Sequence, residues 1–325
     1  MSRDELEHAA AVLRGGGLVA FPTETVYGLG ADASNPEALK KIYAAKGRPR
    51  NHPLIVHVAN AARAAEWARV TPEAAQRLAQ HFWPGPLTLI LKRAPHVNDL
   101  VTDGQDTIAL RVPAHPVAQA LLAAFGGGIA APSANRYGRV SATTAEHVRD
   151  EFGGVVECVL DGGPSAVGIE STIVDVSGAR PALLRPGSIT ARALEDVLGV
   201  ALAPAGAESP RAPGMLAKHY APRTPLMLME ADLLLELASS MTRQGHKVAV
   251  LARSGLQPLT GRVIWTAAPS DPAGFAHDLY ANLRTLDRAG CAAILVERPP
   301  LEPAWAAVHD RLSRAAAGSA MLDAT

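Results

Sequence analysis

The stretch Lys46-Gly47-Arg48-Pro49, followed at once by Pro53-Leu54-Ile55-Val56-His57-Val58, is the most informative part of the chain. A Gly/Pro turn carries two cations, and an apolar strand with one histidine follows it. That arrangement can seat a polyanion beside a small polar ligand. Without a ligand it reads as a solvated basic turn before a core strand. His57 shares a strand face with Ile55. It is either a hydrogen-bonded core residue or part of a site. No Gly-x-x-x-x-Gly-Lys-Ser/Thr occurs in the chain, so a nucleotide here would not be held by a P-loop.

Outward from this strand, further apolar strands are predicted at 18–21, 87–91, 107–112, 129–131, 171–176 and 182–184, with the first strand spanning 54–58. Ser2 with Glu5, and Thr143 with Glu146, fit capping boxes. Asn35-Pro36-Glu37 and Thr71-Pro72-Glu73 each read as a cap, a proline at the first helical position and an acid at the positive helix end. Some strands follow one another without the helix that a parallel crossover needs. The sheet is therefore expected to be mixed.

Composition changes near residue 201. Prolines at 204, 210, 213, 222 and 225 exclude a helix across 201–225. This segment is longer than a connection ordinarily is, so it is either slack or lies on something. Beyond it, strands at 226–229, 247–252, 263–266 and 292–297 alternate with helices at 231–243, 274–289 and 303–316. That pattern predicts a small open α/β domain with a parallel sheet and no visible chemistry. The expected organisation is a mixed α/β domain over 1–200, a Pro-rich linker over 201–225, and a small α/β domain over 226–325.

The bulk numbers agree with two globular domains. The chain has 325 residues, 48% of them hydrophobic and 19% charged, with a formal net charge of zero. Nucleic-acid contact would have to be local. Lys40, Lys41, Lys46, Arg48 and Arg50 form one such patch, with no acid between 40 and 50. Two cysteines, Cys158 and Cys291, make no metal spacing and no disulfide framework, which suits a reducing cytoplasm. The charged N-terminus does not read as a signal peptide, and no apolar run is long enough for a membrane helix.

Four pieces look like parts of a site. In Phe21-Pro22-Thr23-Glu24-Thr25-Val26-Tyr27-Gly28-Leu29-Gly30 a strand runs into hydroxyls, a carboxylate and glycines. It could present Thr23 and Thr25 to a ligand, or cap a helix as a polar turn. In Thr107-Ile108-Ala109-Leu110-Arg111-Val112 the alternation places Arg111 with Thr107 and Ala109. A mid-strand arginine needs a partner, which could be a bound carboxylate or an internal acid. The remaining pieces are Ala130-Ala131-Pro132-Ser133-Ala134-Asn135 and Gly168-Ile169-Glu170-Ser171-Thr172, the latter leading to Leu184-Arg185-Pro186-Gly187. Together they supply cations and hydroxyls at the strand ends of one domain, the composition of a pocket for a nucleotide plus a small carboxylate. No Ser-His-Asp set, carboxylate pair or His-rich metal spacing is visible. Chemistry would come from positioning and charge stabilisation.

These runs, together with Trp83-Pro84-Gly85-Pro86-Leu87-Thr88 and Lys218-His219-Tyr220-Ala221-Pro222, resemble the two-domain form of the threonylcarbamoyl-AMP synthase family. The resemblance implies a YrdC-like twisted mixed sheet with flanking helices, plus a smaller Rossmann-like parallel α/β domain. It implies a nucleotidyltransferase that joins L-threonine, bicarbonate and ATP, with Mg2+, into threonylcarbamoyl-AMP and pyrophosphate. The product would pass to tRNA threonylcarbamoyl-transfer proteins that modify the adenosine beside the anticodon. By motif, Thr25, His57, Arg111, Ala131 and Ser171 would hold threonine. Lys46, Arg48, Thr107, Ser133, Asn135, Ser141 and Arg185 would hold ATP, with Lys46 and Arg48 also catalytic. Tyr220 would close over the nucleotide. His52 stands where the family often has asparagine; it could still give one hydrogen bond to ATP. Two alternatives stay open: a module that binds tRNA or double-stranded RNA without catalysis, and a carbamoyl-transfer enzyme of hydrogenase maturation. The two isolated cysteines argue against the second.

Overall fold

The structure is a computed structural model and describes residues 1–49, 52–206, 208–215, 219–253 and 261–319. The chain forms two compact units. One comprises Met1–Tyr137 with Ala142–Met215, the other Gly138–Ser141 with Leu216–Thr325. The division falls inside the predicted 201–225 segment, and four residues from the front half fold with the second unit.

Among the described residues the first unit holds ten strands: β1 (Val19–Phe21), β2 (Gly28–Asp32), β3 (Ile55–His57), β4 (Leu87–Lys92), β5 (Thr107–Arg111), β6 (Ile129–Ala130), β7 (Cys158–Val159), β8 (Thr172–Asp175), β9 (Ala182–Arg185) and β10 (Ala203–Pro204). Their order in one sheet is β10-β9-β8-β4-β5-β3-β6-β2-β1-β7. β3 runs parallel to β5 and antiparallel to β6, and β4 runs antiparallel to β5 and parallel to β8. The sheet is mixed, as the missing crossovers required. The glycine run Gly28–Asp32, for which no strand was predicted, is strand β2. Its glycines are needed because a Cβ on Gly30 would strike the Phe21 ring and Ile129.

Alternation along the strands separates two faces. Val56, Leu89, Leu91, Ile108, Leu110 and Val174 point into the main core, where helices pack on them. The opposite face is covered in two ways. Over β1 and β6 lie helices Arg3–Arg14 and Pro116–Phe125, through Leu13, Leu121 and Leu122. Over β3, β4, β5, β8 and β9 there is a cluster of Ile55, Ile90, Ala109, Ile173 and Leu184, and Ala212 and Met215 close it. The first part of the Pro-rich segment therefore lies on the sheet as a strap. It is tied by β10 pairing with β9, by Arg211 to Asp103 at 2.6 Å, and by Arg211 N–H to Gln105.

Two cap assignments need correction. Thr144, not Thr143, caps the helix Ala145–Phe152, because Thr144 is the residue in extended conformation whose hydroxyl accepts the His147 N–H. At Thr71-Pro72-Glu73, Pro72 keeps an extended ψ of 158°, so the helix starts at Glu73 and has no side-chain cap. The Ser2/Glu5 box and the Asn35 cap form as read.

The second unit holds β11 (Leu226–Met229), β12 (Val248–Ala252), β13 (Val263–Ala267) and β14 (Ala293–Glu297), all parallel, in the order β11-β14-β12-β13. Helices Ala231–Arg243, Pro272–Asp287 and Ala306–Ser319 alternate with them. The buried strands read as apolar runs because both faces are covered.

Candidate active site

The basic turn is built by a helix ending. Asn35 starts helix Pro36–Lys46, and Gly47 ends it at φ 59°, the left-handed conformation that lets the chain reverse. Lys46 is buried, and its Nζ donates to the carbonyls of Ser133 (2.6 Å) and Asn135. Burial, then the neighbouring Arg48, holds its ammonium well below the usual lysine range. Lys46 thus braces the Ser133–Asn135 loop with two of its three donors. Arg48 Nη2 donates to Pro53 O at 3.1 Å. His52 Nε2 lies 2.7 Å from Tyr137 Oη, and the Tyr137 N–H donates to Lys46 O at 2.8 Å. Burial, then Arg48, lowers the His52 pKa. Asn135 is buried and donates through Nδ2 to Arg136 O.

Arg111 is buried in mid-sheet and meets the acid of the first piece. Its Nη2 donates to Glu24 Oε1 at 2.7 Å, its Nη1 to Thr25 Oγ1 at 2.8 Å, and its Nε to Gly85 O at 3.3 Å. An internal acid therefore satisfies the arginine, the second of the two arrangements the sequence left open. Two of its five N–H groups take no part in those bonds. Thr23 and Thr25 are both buried and hydrogen-bond each other at 2.8 Å.

His57 pairs in register with Arg111 across β3 and β5, and its ring meets Phe21 edge-on at 5.9 Å. Burial, then Arg111, lowers its pKa to about 3, so it is neutral at physiological pH. Its Nδ1 is buried without a hydrogen-bond partner. A buried orphan of this kind asks for a ligand or a water. Ala131 gives its N–H to Ile55 O at 2.9 Å and is buried beside this histidine's strand.

The third group sits on β8 and β9. Arg185 donates from Nε to Ser171 O (3.1 Å), from Nη2 to Ser171 Oγ (3.1 Å) and from Nη1 to Pro213 O of the strap (2.9 Å). Ser171 Oγ also meets Thr88 Oγ1 at 2.8 Å. Gly187 permits this closeness, since a Cβ there would collide with the amide nitrogen and hydroxyl of Thr172. Thr107 is buried on the same face of β5 as Arg111.

These contacts form two hydrogen-bonded groups that face each other in register on β4 and β5. Thr25 binds Arg111, Arg111 faces Thr88 across β4 and β5, Thr88 binds Ser171, and Ser171 binds Arg185. Twelve of the predicted site residues thus belong to the first unit. Ser141 and Tyr220 belong to the second. Ser141 gives its carbonyl to Arg284. Tyr220 is buried at φ 61°, stacked on Tyr280 at 5.8 Å with the Arg311 guanidinium over its ring. Lys218, Arg50 and Asn51 lie outside the described residues. Sequence reasoning gave no role to Glu24, Thr88 or Arg284. Glu24 was legible as the acid between two buried threonines, and Thr88 stood in a quoted run. Nothing local marks Arg284. Among the described residues no three His, Cys, Asp or Glu side chains are placed to hold a metal ion.

A ten-stranded mixed sheet with buried arginines and hydroxyls at its strand ends and a Lys-Gly-Arg-Pro turn at a helix end defines the class, an α/β domain. The family profile described as "Telomere recombination" matches residues 11–187. A second, described as "Threonylcarbamoyl-AMP synthase, C-terminal domain", matches residues 189–317. The chain belongs to the threonylcarbamoyl-AMP synthase family. It is 40% identical over 318 residues to the Pyrococcus abyssi threonylcarbamoyl-AMP synthase, covering 94% of this chain and 92% of that protein. It is 41% identical over 324 residues to the Bacillus subtilis enzyme, covering 97% and 93%. The crystal structure of P. abyssi Sua5 complexed with L-threonine superposes with a TM-score of 0.91 at 38% identity, covering 98% of this chain and 96% of that one.

Proposed function

We propose that this chain forms threonylcarbamoyl-AMP and pyrophosphate from L-threonine, bicarbonate and ATP, as a nucleotidyltransferase. The observation that carries the reading is a pair of buried hydrogen-bonded groups, Thr25–Arg111 and Thr88–Ser171–Arg185, in register on adjacent strands of the sheet that the Lys46–Arg48 turn feeds. It sets polar recognition of a small amino acid next to cations suited to phosphates.

Threonine lies against Thr25, His57, Arg111, Ala131 and Ser171. The two N–H groups that Arg111 does not spend on Glu24, Thr25 and Gly85 meet its carboxylate. Neutral His57 offers Nδ1 as an acceptor for a substrate hydroxyl or amine proton. Bicarbonate takes up a proton and loses water to give carbon dioxide; the neutral threonine amine adds to that carbon, forming the N–C bond of a carbamate and returning the proton to solvent. A carbamate oxygen then attacks the α-phosphorus of ATP, and the bond to the β-phosphate oxygen breaks with release of pyrophosphate. Two anions approach each other in this step. Arg48, Arg185 and the remaining donor of Lys46 lower that repulsion, while Thr107, Ser133, Asn135 and Ser141 orient the nucleotide.

Magnesium bound to the triphosphate would supply charge neutralisation of the leaving group. Its oxygens would come mainly from phosphate and water, and among the described residues no three His, Cys, Asp or Glu side chains are grouped to hold a metal. The strap excludes water from a carbamate and a mixed anhydride that water destroys. The product serves tRNA threonylcarbamoylation by a separate transfer protein, and the basic turn leaves room for a local RNA contact. No described helix is long and apolar enough to cross a membrane.

The test is incubation with ATP, magnesium, bicarbonate and each amino acid in turn, with the adenylate read by mass spectrometry. Threonine alone should give the carbamoyl-adenylate, and only with bicarbonate. Pyrophosphate release independent of threonine, or an adenylate lacking the carbamoyl mass, would overturn the reading.

A further inference from the structure

The run Gly85-Pro86-Leu87-Thr88 lies wholly in the first unit and connects two of the proposed threonine ligands there. Toward β5, Gly85 O accepts Arg111 Nε at 3.3 Å, and the Gly85 N–H donates to Val112 O at 2.8 Å. Toward β8, Pro86 O accepts the Thr172 N–H at 3.0 Å, and Thr88 Oγ1 lies 2.8 Å from Ser171 Oγ. A Cβ on Gly85 would strike Phe82 O, so this tight path needs glycine. β4 lies between β5 and β8, with Thr88 in register with Arg111 on one side and Ile173 on the other. Thr88 and Ser171 are both buried.

We propose that Thr88 is a positioning residue for the threonine substrate. It donates its hydroxyl proton to Ser171 and so leaves the Ser171 proton for the ligand. The inference rests on the proposed role of Ser171 in holding threonine. Two hydroxyls that face each other carry two protons, and only one can lie between them. Ser171 Oγ already accepts Arg185 Nη2 at 3.1 Å. With Thr88 as the second donor, both lone pairs of that oxygen are occupied and its own proton is the one to spare. In the reverse direction the spare proton would sit on Thr88, a side chain with no exposure and no other side-chain hydrogen bond, between two paired strands. A guanidinium that donates to the same oxygen strengthens Ser171 as a donor. A donor with no accepting capacity left selects an anionic oxygen. Ser171 and the two spare N–H groups of Arg111 thus address the threonine carboxylate from either side of β4, and Thr88 fixes the first of them.

The test uses the full chain with Thr88→Val, Thr88→Ser, Ser171→Ala and the double variant Thr88→Val/Ser171→Ala. Calorimetry gives the dissociation constants of threonine and of a non-hydrolysable ATP analogue separately. In Thr88→Val, threonine affinity should fall about tenfold while ATP affinity stays within about twofold. Thr88→Ser, which keeps the hydroxyl, should bind threonine within about twofold of wild type. In the Ser171→Ala background, Thr88→Val should change threonine affinity by less than about twofold, because a residue that acts through Ser171 has nothing left to position. Unchanged threonine affinity in Thr88→Val, equal weakening of both ligands, or the same loss with and without Ser171 overturns the proposal. If the valine variant does not fold, Thr88→Ala takes its place in the cycle under the same criteria. The binding arms need no turnover. A wild-type chain that binds threonine but makes no adenylate refutes the proposed reaction and leaves Thr88 to be judged on the cycle; one that binds no threonine overturns both.

Discussion

Replacing Glu24 by alanine should unfold the first unit at a markedly lower denaturant concentration than replacing it by glutamine. Glu24 Oε1 lies 2.7 Å from Arg111 Nη2, and the two side chains are 12% and 4% exposed. Removing one partner of a buried pair leaves an uncompensated charge and costs about 3–5 kcal/mol. Arg111 keeps Thr25 and Gly85, which places the alanine variant near the lower end, about 3 kcal/mol. The Ala114 N–H that Glu24 Oε2 accepts is exposed, so water replaces that bond and adds little. Glutamine keeps an acceptor for Nη2 without its charge and should cost about 1.5 kcal/mol. Urea titration read by hydrogen exchange on β3 and β5 follows the first unit alone. For a urea dependence of ~2–3 kcal/mol/M, the alanine midpoint should move down by about 1–1.5 M. The difference should survive high salt, because the pair is shielded from counterions. A loss below about 1 kcal/mol for Glu24→Ala, or one that vanishes in salt, would place the pair with exposed ion pairs and refute the argument.

Arg48→Ala should abolish adenylate formation mainly through ATP, with ATP affinity down more than tenfold, or ~1.4 kcal/mol, and threonine binding retained; calorimetry with each ligand checks it. Arg111→Lys should weaken threonine binding by more than about tenfold, since one ammonium cannot serve Thr25, Glu24, Gly85 and a carboxylate together; a drop in melting temperature with normal threonine affinity would make Arg111 purely structural. His57 has its pKa lowered to about 3, so the unfolded chain binds one more proton than the folded chain between that value and about 6.5. Its contribution is therefore complete above about pH 6.5 and is lost as pH falls toward 3, at up to ~1.4 kcal/mol per pH unit. His57→Gln should flatten that part of the stability–pH curve.

The strands of the first domain were legible because each is a short apolar run bounded by Gly, Pro or polar residues. The exceptions are β2, β7 and β10; β7 is two residues long and forms by pairing with β1. β2 is Gly-Leu-Gly-Ala-Asp, with little β-propensity; Phe21 and Ile129 packing on its glycines makes it a strand. β10 is two residues long and exists because β9 offers an edge. The Pro-rich segment was rightly denied a helix, but its docking depends on Ala212 and Met215 meeting apolar side chains from five strands, which no local pattern encodes. At the site, the residue types were legible and the pairings were not. Arg111 with Glu24 and Lys46 with two carbonyls are contacts across 87 residues or more. The placement of Ser141 and Tyr220 in the second unit follows from Tyr280 and Arg284, which lie on a helix that looks ordinary in sequence.

The order of strands in the large sheet also bears on how the chain emerges from the ribosome. β4 lies between β5 and β8, and its parallel neighbour β8 starts at Thr172, roughly 80 residues after β4 ends, or about 4–16 s of synthesis. Through that interval β4 presents Leu87-Thr88-Leu89-Ile90-Leu91 along a bare edge, the kind of segment that pairs with another nascent copy. The last strand to join, β10, follows only at Ala203. Translation speed between codons 92 and 172 should therefore govern how much of this protein is recovered soluble, with pauses there favouring aggregation and chaperone dependence.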